Sequence, residues 1–308
     1  MNLSLASCVA IGLGGVSACG KPPAIDHEAA AALFTEVPVT TAHGLSGLAA
    51  DAGGALWTVA ERDPVAYRIS LDAALRPTVE SFAIRGVPAG IDLEGIAVLD
   101  DAPRARRFAF GTEGQLEGTA TVLRAERVGD ALQIGARVEL SDDAVGLKMK
   151  SNQGAEGICG SGETLLVAIE GAGQEGGRRW APVLRVVDGA VRARYRVWLT
   201  SDVGKLSGLD CRLAADGSFR VLAIERHFAV TKVLRFTAPA AAEALTQVDL
   251  TPEVVLDLGP VLRSGLNLEG VAWTDDGRVA AVVDNQWRTI TGPSELLVFR
   301  PGVVAAPR

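Results

Sequence analysis

The chain has 308 residues, 48% of them hydrophobic, which is enough to bury a large core. Its 37 acids against 30 bases give a formal net charge of −7. That balance argues against a nucleic-acid partner and suits a cation-binding surface.

Residues Leu3 to Ala18 form an apolar Gly/Ala/Ser run too short to span a bilayer comfortably. It ends in Val16-Ser17-Ala18-Cys19, which resembles a bacterial lipobox with Cys19 as the lipidated residue. The expectation is a lipoprotein signal over residues 1–19, a tether and short helix over 20–35, and one folded domain over 36–305. The mature protein would sit in the bacterial envelope, lipid-anchored at the outer membrane or free in the periplasm. Its only membrane contact would be that anchor. Asp26 is placed to cap a helix over His27–Leu33.

From residue 45 one short phrase recurs. It reads Leu45-Ser46-Gly47-Leu48, Leu93-Glu94-Gly95-Ile96, Ala155-Glu156-Gly157-Ile158, Leu206-Ser207-Gly208-Leu209 and Leu268-Glu269-Gly270-Val271. After each copy comes an apolar run closed by an acid: Leu56–Glu61, Phe108–Glu113, Leu165–Glu170, Val221–Glu225 and Val279–Asp284. The copies lie 48, 62, 51 and 62 residues apart, room for four short strands each.

The first unit predicts strand A at Gly47–Ala50, B at Leu56–Ala60, C at Ala66–Ser70 and D at Thr78–Ile84. Later C strands are expected at Ala120–Ala125, Val183–Val187, Thr231–Phe236 and Leu296–Phe299. Later D strands are expected at Leu132–Leu140, Val191–Leu199 and Pro252–Leu258. Gly53-Gly54, Gly160–Gly162, Asp216-Gly217 and Asp276-Gly277 supply the positive φ of A–B hairpins, and Asp188-Gly189 does so between C and D. A second helix is expected over Ala238–Leu245. Gly171–Gly176 fits GxGxxG but leads into a strand, so it reads as a flexible loop.

The last unit lacks a D strand, and the strand-like Glu36–Thr41 could fill its place. These features predict an all-β propeller closed by an N-terminal strand. Five blades are favoured, with six as the alternative if a degenerate blade hides in a long interval. Cys159 and Cys211 stand at +2 and +3 from their phrase glycines, on opposite faces of successive A strands. Either a disulfide or two buried thiols fits that geometry.

In an A–B hairpin the start of A lies opposite the end of B. Ser46 is therefore expected beside Glu61, Glu94 beside Glu113, and Glu156 beside Glu170. By the same rule Ser207 should neighbour Glu225, and Glu269 should neighbour Asp284. These eight carboxylates and two hydroxyls would share one channel mouth. So many acids need either a hard cation such as Ca²⁺ or pairing with Arg62, Arg226 and Arg288. Asn285 and Gln286 add neutral oxygen ligands. His43, His227, Lys148, Lys150 and Arg178-Arg179 are placed around the same opening. Because Ser46 and Ser207 replace Glu in two blades, the site is expected to lean toward the Glu blades. Neither a GxSxG elbow nor HExxH is present.

The ordered series includes Asp92-Leu93-Glu94-Gly95-Ile96, Val167-Ala168-Ile169-Glu170, Val221-Leu222-Ala223-Ile224-Glu225-Arg226 and Val283-Asp284-Asn285. It resembles the phytase-like propeller family labelled "esterase-like activity of phytase". That resemblance implies a secreted or envelope propeller with phosphoester or ester hydrolase activity and Ca²⁺ as cofactor. Glu94, Glu156, Glu269, Asp284 and Asn285 would be the metal ligands. Glu61, Glu170 and Glu225 would add ligands or a general base, and Arg226 and Arg288 would hold the anionic group of a small ester substrate. The competing reading is a non-enzymatic module that binds a protein, peptide or glycan of the envelope.

Overall fold

The computed structural model describes residues 27–40, 44–114, 118–151, 153–227, 230–240, 246–262, 267–284 and 294–304. Cys19 and the whole leader lie outside them, as do Asp26, His43, Asn285, Gln286 and Arg288. The expected first helix is present as α1 (His27–Leu33), which runs straight into β1 (Phe34–Val39).

Antiparallel meanders then follow in chain order. The first holds β2 (Leu45–Ala50), β3 (Leu56–Ala60), β4 (Val65–Leu71) and β5 (Pro77–Arg85). The second holds β6 (Ile91–Val98), β7 (Arg107–Gly114), β8 (Thr119–Val128) and β9 (Ala131–Ser141). The short helix α2 (Asp142–Val145) leads to the third, with β10 (Ala155–Ser161), β11 (Thr164–Ile169), β12 (Gly173–Glu175), β13 (Arg178–Val187) and β14 (Ala190–Trp198). The fourth contains β15 (Lys205–Leu213), β16 (Phe219–His227), β17 (Val230–Ala238) and, after β18 (Thr246–Leu250), which pairs in parallel with β14 of the third, β19 (Glu253–Asp257). The last has β20 (Asn267–Trp273), β21 (Val279–Asp284) and β22 (Ser294–Phe299). Its missing strand comes from the other end of the chain: β1 pairs antiparallel with β22, from Phe34 opposite Phe299 to Val39 opposite Ser294.

The fold is an all-β propeller. Its inner strands β2, β6, β10, β15 and β20 touch one another in a closed cycle. The phrase glycine makes that approach feasible. A Cβ on Gly95 would stand 2.5 Å from the Glu156 carbonyl oxygen, and one on Gly270 would stand 2.4 Å from the Leu48 nitrogen. Gly47, Gly157 and Gly208 press on the following inner strand in the same way.

The core lies between the units rather than inside any one. Among the described residues five apolar clusters are found, one at each junction. Trp57, Phe82, Phe108 and Phe110 dominate the junction of the first two units. Val37, Leu45, Leu56, Val282 and Leu296 join the last unit to the first. Second strands are therefore buried on both faces, as in β3 and β21, and read as unbroken apolar runs. Outer strands such as β5 alternate toward their ends because one face meets water.

Two expectations are corrected here. The stretch 171–176 is not a loose loop: β12 pairs with β13 across Gly176-Gly177, both at positive φ, as a two-residue hairpin turn requires. Ala238 ends strand β17 instead of opening a helix, and residues 241–245 of that expected helix are outside the described set. Cys159 and Cys211 form a disulfide between the third and fourth units, with Cα atoms 5.6 Å apart.

Candidate functional site

The acids gather at the end of the ring where inner strands begin, but not in the expected register. In each unit the strand pairing slips at the phrase position, between Ser46 and Ala49, Leu93 and Gly95, Ala155 and Gly157, Leu206 and Gly208, and Leu268 and Gly270. Each phrase residue Ser or Glu therefore sits on a β-bulge, which turns its side chain out of the ladder. The closing acids pair further back. Glu113 lies opposite Asp92, Glu225 opposite Leu206, and Asp284 opposite Asn267. The backbone N–H groups of Glu61 and Glu170 donate to the carbonyls of Gly44 and Gly154.

Among the described residues two carboxylate triads result, at the first and second junctions. Glu61, Asp92 and Glu94 bring one oxygen each within 4.8 Å of one another, and so do Glu113, Glu156 and Glu170. Asp92 and Glu113 were not among the expected ligands or catalytic groups. The signal that could have found Asp92 is its place directly before Leu93-Glu94, once the bulge is allowed for.

The remaining acids have partners of their own. The Arg226 guanidinium forks onto Glu269, at 3.0 Å from Nε to Oε2 and 2.5 Å from Nη2 to Oε1. Burial would lower the Arg226 pKa, yet Glu269 and Glu156 outweigh it and hold the guanidinium above its ordinary value. This is the arginine pairing that the sequence offered as the alternative to a cation, and it occupies both the guanidinium expected to hold a substrate anion and the Glu269 carboxylate expected to hold a metal. Asn267 Nδ2 donates to Glu269 at 2.5 Å and to Asp284 at 3.3 Å. Lys205, which the repeat pattern does not single out, pairs with Glu170 and lies 3.9 Å from Glu156.

Glu225 is a clear correction. It is fully buried and accepts four hydrogen bonds, from the backbone N–H and hydroxyl of both Thr200 and Ser201. Its oxygens are saturated by the link from β14 to β15, so it is neither base nor ligand. The serines have a structural reason as well. Ser46 Oγ donates to the Glu94 carbonyl at 2.6 Å and lies 3.3 Å from its carboxylate, and Ser207 Oγ donates to the Leu268 carbonyl at 2.9 Å.

Arg62 is exposed and pairs only loosely with Glu61, at 3.4 Å. The Arg178 guanidinium lies over Trp198, 4.6 Å from the ring centre, and Arg179 donates to the Gly204 carbonyl. Lys148 and Lys150 are exposed on the segment before β10, and His227 ends β16.

Electrostatics separates the triads from ordinary surface acids. Burial, then the charges of Glu156 and Glu269, push Glu94 well above the usual carboxylate range. Burial and Glu156 raise Glu113 to about 7 against the opposing pull of Lys205. Glu61 is raised by burial and by Asp284. Triads made of carboxylate oxygens, in which burial and neighbouring acids raise Glu61, Glu94 and Glu113, fit a hard divalent cation.

A family model described as "Phytase-like: Esterase-like activity of phytase" matches residues 40–286. The chain belongs to this phytase-like family. No curated protein sequence matches it. Among solved structures, the PQQ-bound aldose sugar dehydrogenase of Streptomyces coelicolor aligns with 91% of this chain and 99% of its own, at 14% identity and a TM-score of 0.47. A GH43 β-1,3-galactosidase aligns over 89% and 97%, at 12% identity and 0.48. The PQQ domain of a Coprinopsis cinerea pyranose dehydrogenase aligns over 87% and 95%, at 11% and 0.43. The phytase-like span includes both triads, Lys205, and the Arg226–Glu269 pair.

Proposed function

We propose that this phytase-like propeller is a divalent-cation-dependent hydrolase of esters or phosphoesters, with Ca²⁺ the expected ion. One observation carries the reading. Glu170 and Glu269 have internal cations in Lys205 and Arg226, whereas among the described residues the Glu61–Asp92–Glu94 triad makes an ion pair only with the exposed Arg62. The ion is assigned to that triad. When bound there, it would polarise the scissile group and lower the pKa of a coordinated water.

The chain's own groups complete the assignment. Glu113, with a pKa of about 7, is half ionised at neutral pH and suits a general base that takes a proton from water. Lys205 keeps Glu170 and Glu156 compensated, so the second triad does not compete for the ion. Ser46 Oγ fixes the Glu94 bulge. The expected Asp284 is buried, accepts from the Asn267 amide and raises the pKa of Glu61. Through Cys19 the enzyme would be tethered to the envelope, with small esters reaching the mouth from the periplasm.

Calorimetric titration of the mature chain with Ca²⁺, with turnover of p-nitrophenyl phosphate and p-nitrophenyl acetate, tests this. Saturable binding is expected, lost in Asp92→Asn and Glu94→Gln, together with turnover that chelator abolishes. No turnover with any divalent metal, or turnover unchanged in both variants, would sink the hydrolase assignment in favour of a binding module.

A further inference from the structure

Arginines crowd the rim of the first junction at the end of the ring away from the carboxylates. Arg106 stands just before β7 and Arg127 near the end of β8, and the Arg127 backbone N–H donates to the Arg106 carbonyl at 2.7 Å. They are cross-strand neighbours two steps beyond the Phe108–Ala125 pair, and so on the face of the sheet that meets the first unit. Glu113 lies at the other end of β7, which puts the two arginines roughly 20 Å from it along the strand. From the same loop as Arg106, Arg104 pairs with Glu80 of β5. Arg68 of β4 lies 3.2 Å from Glu80 and 3.1 Å from Asp51.

The acids around these arginines are engaged. Asp51 accepts from the backbone N–H groups of Gly53 and Ala55 and from the Trp57 indole as well as from Arg68. Asp100 accepts the backbone N–H groups of Ala102, Arg106 and Arg107, and Glu80 is shared between Arg68 and Arg104. Among the described residues the side chains of Arg106, which is exposed, and Arg127, which is half-buried, have neither an ion pair nor a hydrogen-bond acceptor. Like charges set opposite each other across a ladder destabilise it. Burial and then the charges of Arg104, Arg106 and Arg68 lower the Arg127 pKa, against the smaller pull of Asp100.

We propose that this arginine cluster is a binding site for a phosphate group, carried by a small soluble ligand or by a lipid headgroup. A phosphate monoester brings close to two negative charges at neutral pH, which matches the two unpaired guanidinium groups. Its several acceptor oxygens let one group take both forks at once and turn their repulsion into a bridge. A cation is repelled by the same charges, and a neutral ligand leaves them uncompensated. The assignment is independent of the hydrolase reading, because none of its groups belongs to either triad.

Calorimetry on the calcium-free mature chain with inorganic phosphate, at an ionic strength held constant with chloride, tests the site. Co-sedimentation with phosphatidylcholine vesicles, with and without phosphatidic acid, tests the lipid source. Saturable phosphate binding is expected, and Arg127→Gln should weaken it by about tenfold or more. Because Arg127 is half-buried, the exposed Arg106→Gln serves as the second variant, with a loss of similar size expected. Capture by the phosphatidic-acid vesicles, lost in both variants, would support a lipid headgroup. Phosphate binding without that capture would support a soluble ligand. If neither inorganic phosphate nor the vesicles bind, the proposal fails. Binding unchanged in both variants places the phosphate elsewhere and overturns it equally.

Discussion

Glu225 and Glu113 both close a second strand with an acid, yet their surroundings give them opposite roles. Glu225 holds four donors from Thr200 and Ser201. Glu225→Gln replaces one acceptor oxygen with a donor facing those N–H groups, and should lower stability by about 1–3 kcal/mol in urea denaturation. Glu113→Gln should instead leave the urea midpoint intact or raise it near pH 8, while lowering turnover by about a hundredfold or more. The pH dependence has a definite sign. Glu113 titrates near 7 in the folded chain against an ordinary 4.5, and Glu94 and Glu61 are shifted the same way. The native state therefore holds more protons than the unfolded one in that window. The contribution of these groups is fully present below about pH 4.5 and is lost as pH rises toward 7. Urea midpoints of the calcium-free protein should fall between pH 5 and 8, and saturating Ca²⁺ should flatten the trend. A midpoint that rises across that window would contradict the protonation assigned here.

At the scale of the element, the hydrophobic runs were enough to locate the strands. Inner and second strands are sandwiched between neighbours, so their sequences are apolar throughout, and every expected A to D strand overlaps an observed one. The bulge was not legible. Pairing Ser46 with Glu61 assumes an unbroken ladder, whereas the observed register, with its slip at each phrase, sets Glu61 opposite Gly44 and Glu113 opposite Asp92. No local propensity announces that slip, because it is imposed by contact with the next inner strand. Lys205 was missed for a related reason, since its partner Glu170 belongs to the neighbouring unit. β12 and β18 were missed because each is short and pairs outside the repeating meander. The phrase glycine is the testable element of this account. Gly95→Ala would press a methyl 2.5 Å from the Glu156 carbonyl oxygen, and Gly95 cannot retreat without moving the adjacent Glu94, a ligand of the first triad. Stability should fall by about 1–3 kcal/mol. Ca²⁺ affinity should fall with it, a joint loss that a Gly135→Ala control, whose added methyl meets nothing within 4 Å, should not show.

The whole molecule is a ring, and two long-range links secure it in different ways. The Cys159–Cys211 disulfide joins units that already follow each other in the chain, 52 residues apart. Its removal mainly frees the unfolded state, so Cys159→Ser with Cys211→Ser should cost at most about 4 kcal/mol by loop-closure entropy and leave a folded ring. β1 acts on the native state itself. It supplies the outer strand of the last unit, and Val37 and Val39 fill the junction with the first. Deleting residues up to 39 would expose the edge of β22 and open one junction to water, and an unpaired edge flanked by apolar surface promotes self-association. The truncated chain should therefore elute as larger species than the parent and lose its cooperative thermal transition, whereas the double serine variant should keep the parent's elution volume with a lowered midpoint. A synthetic peptide of residues 27–40, added in trans, should restore the transition if the missing strand is the cause. A truncated chain that melts cooperatively at the parent temperature would show instead that the ring closes through the inner strands alone.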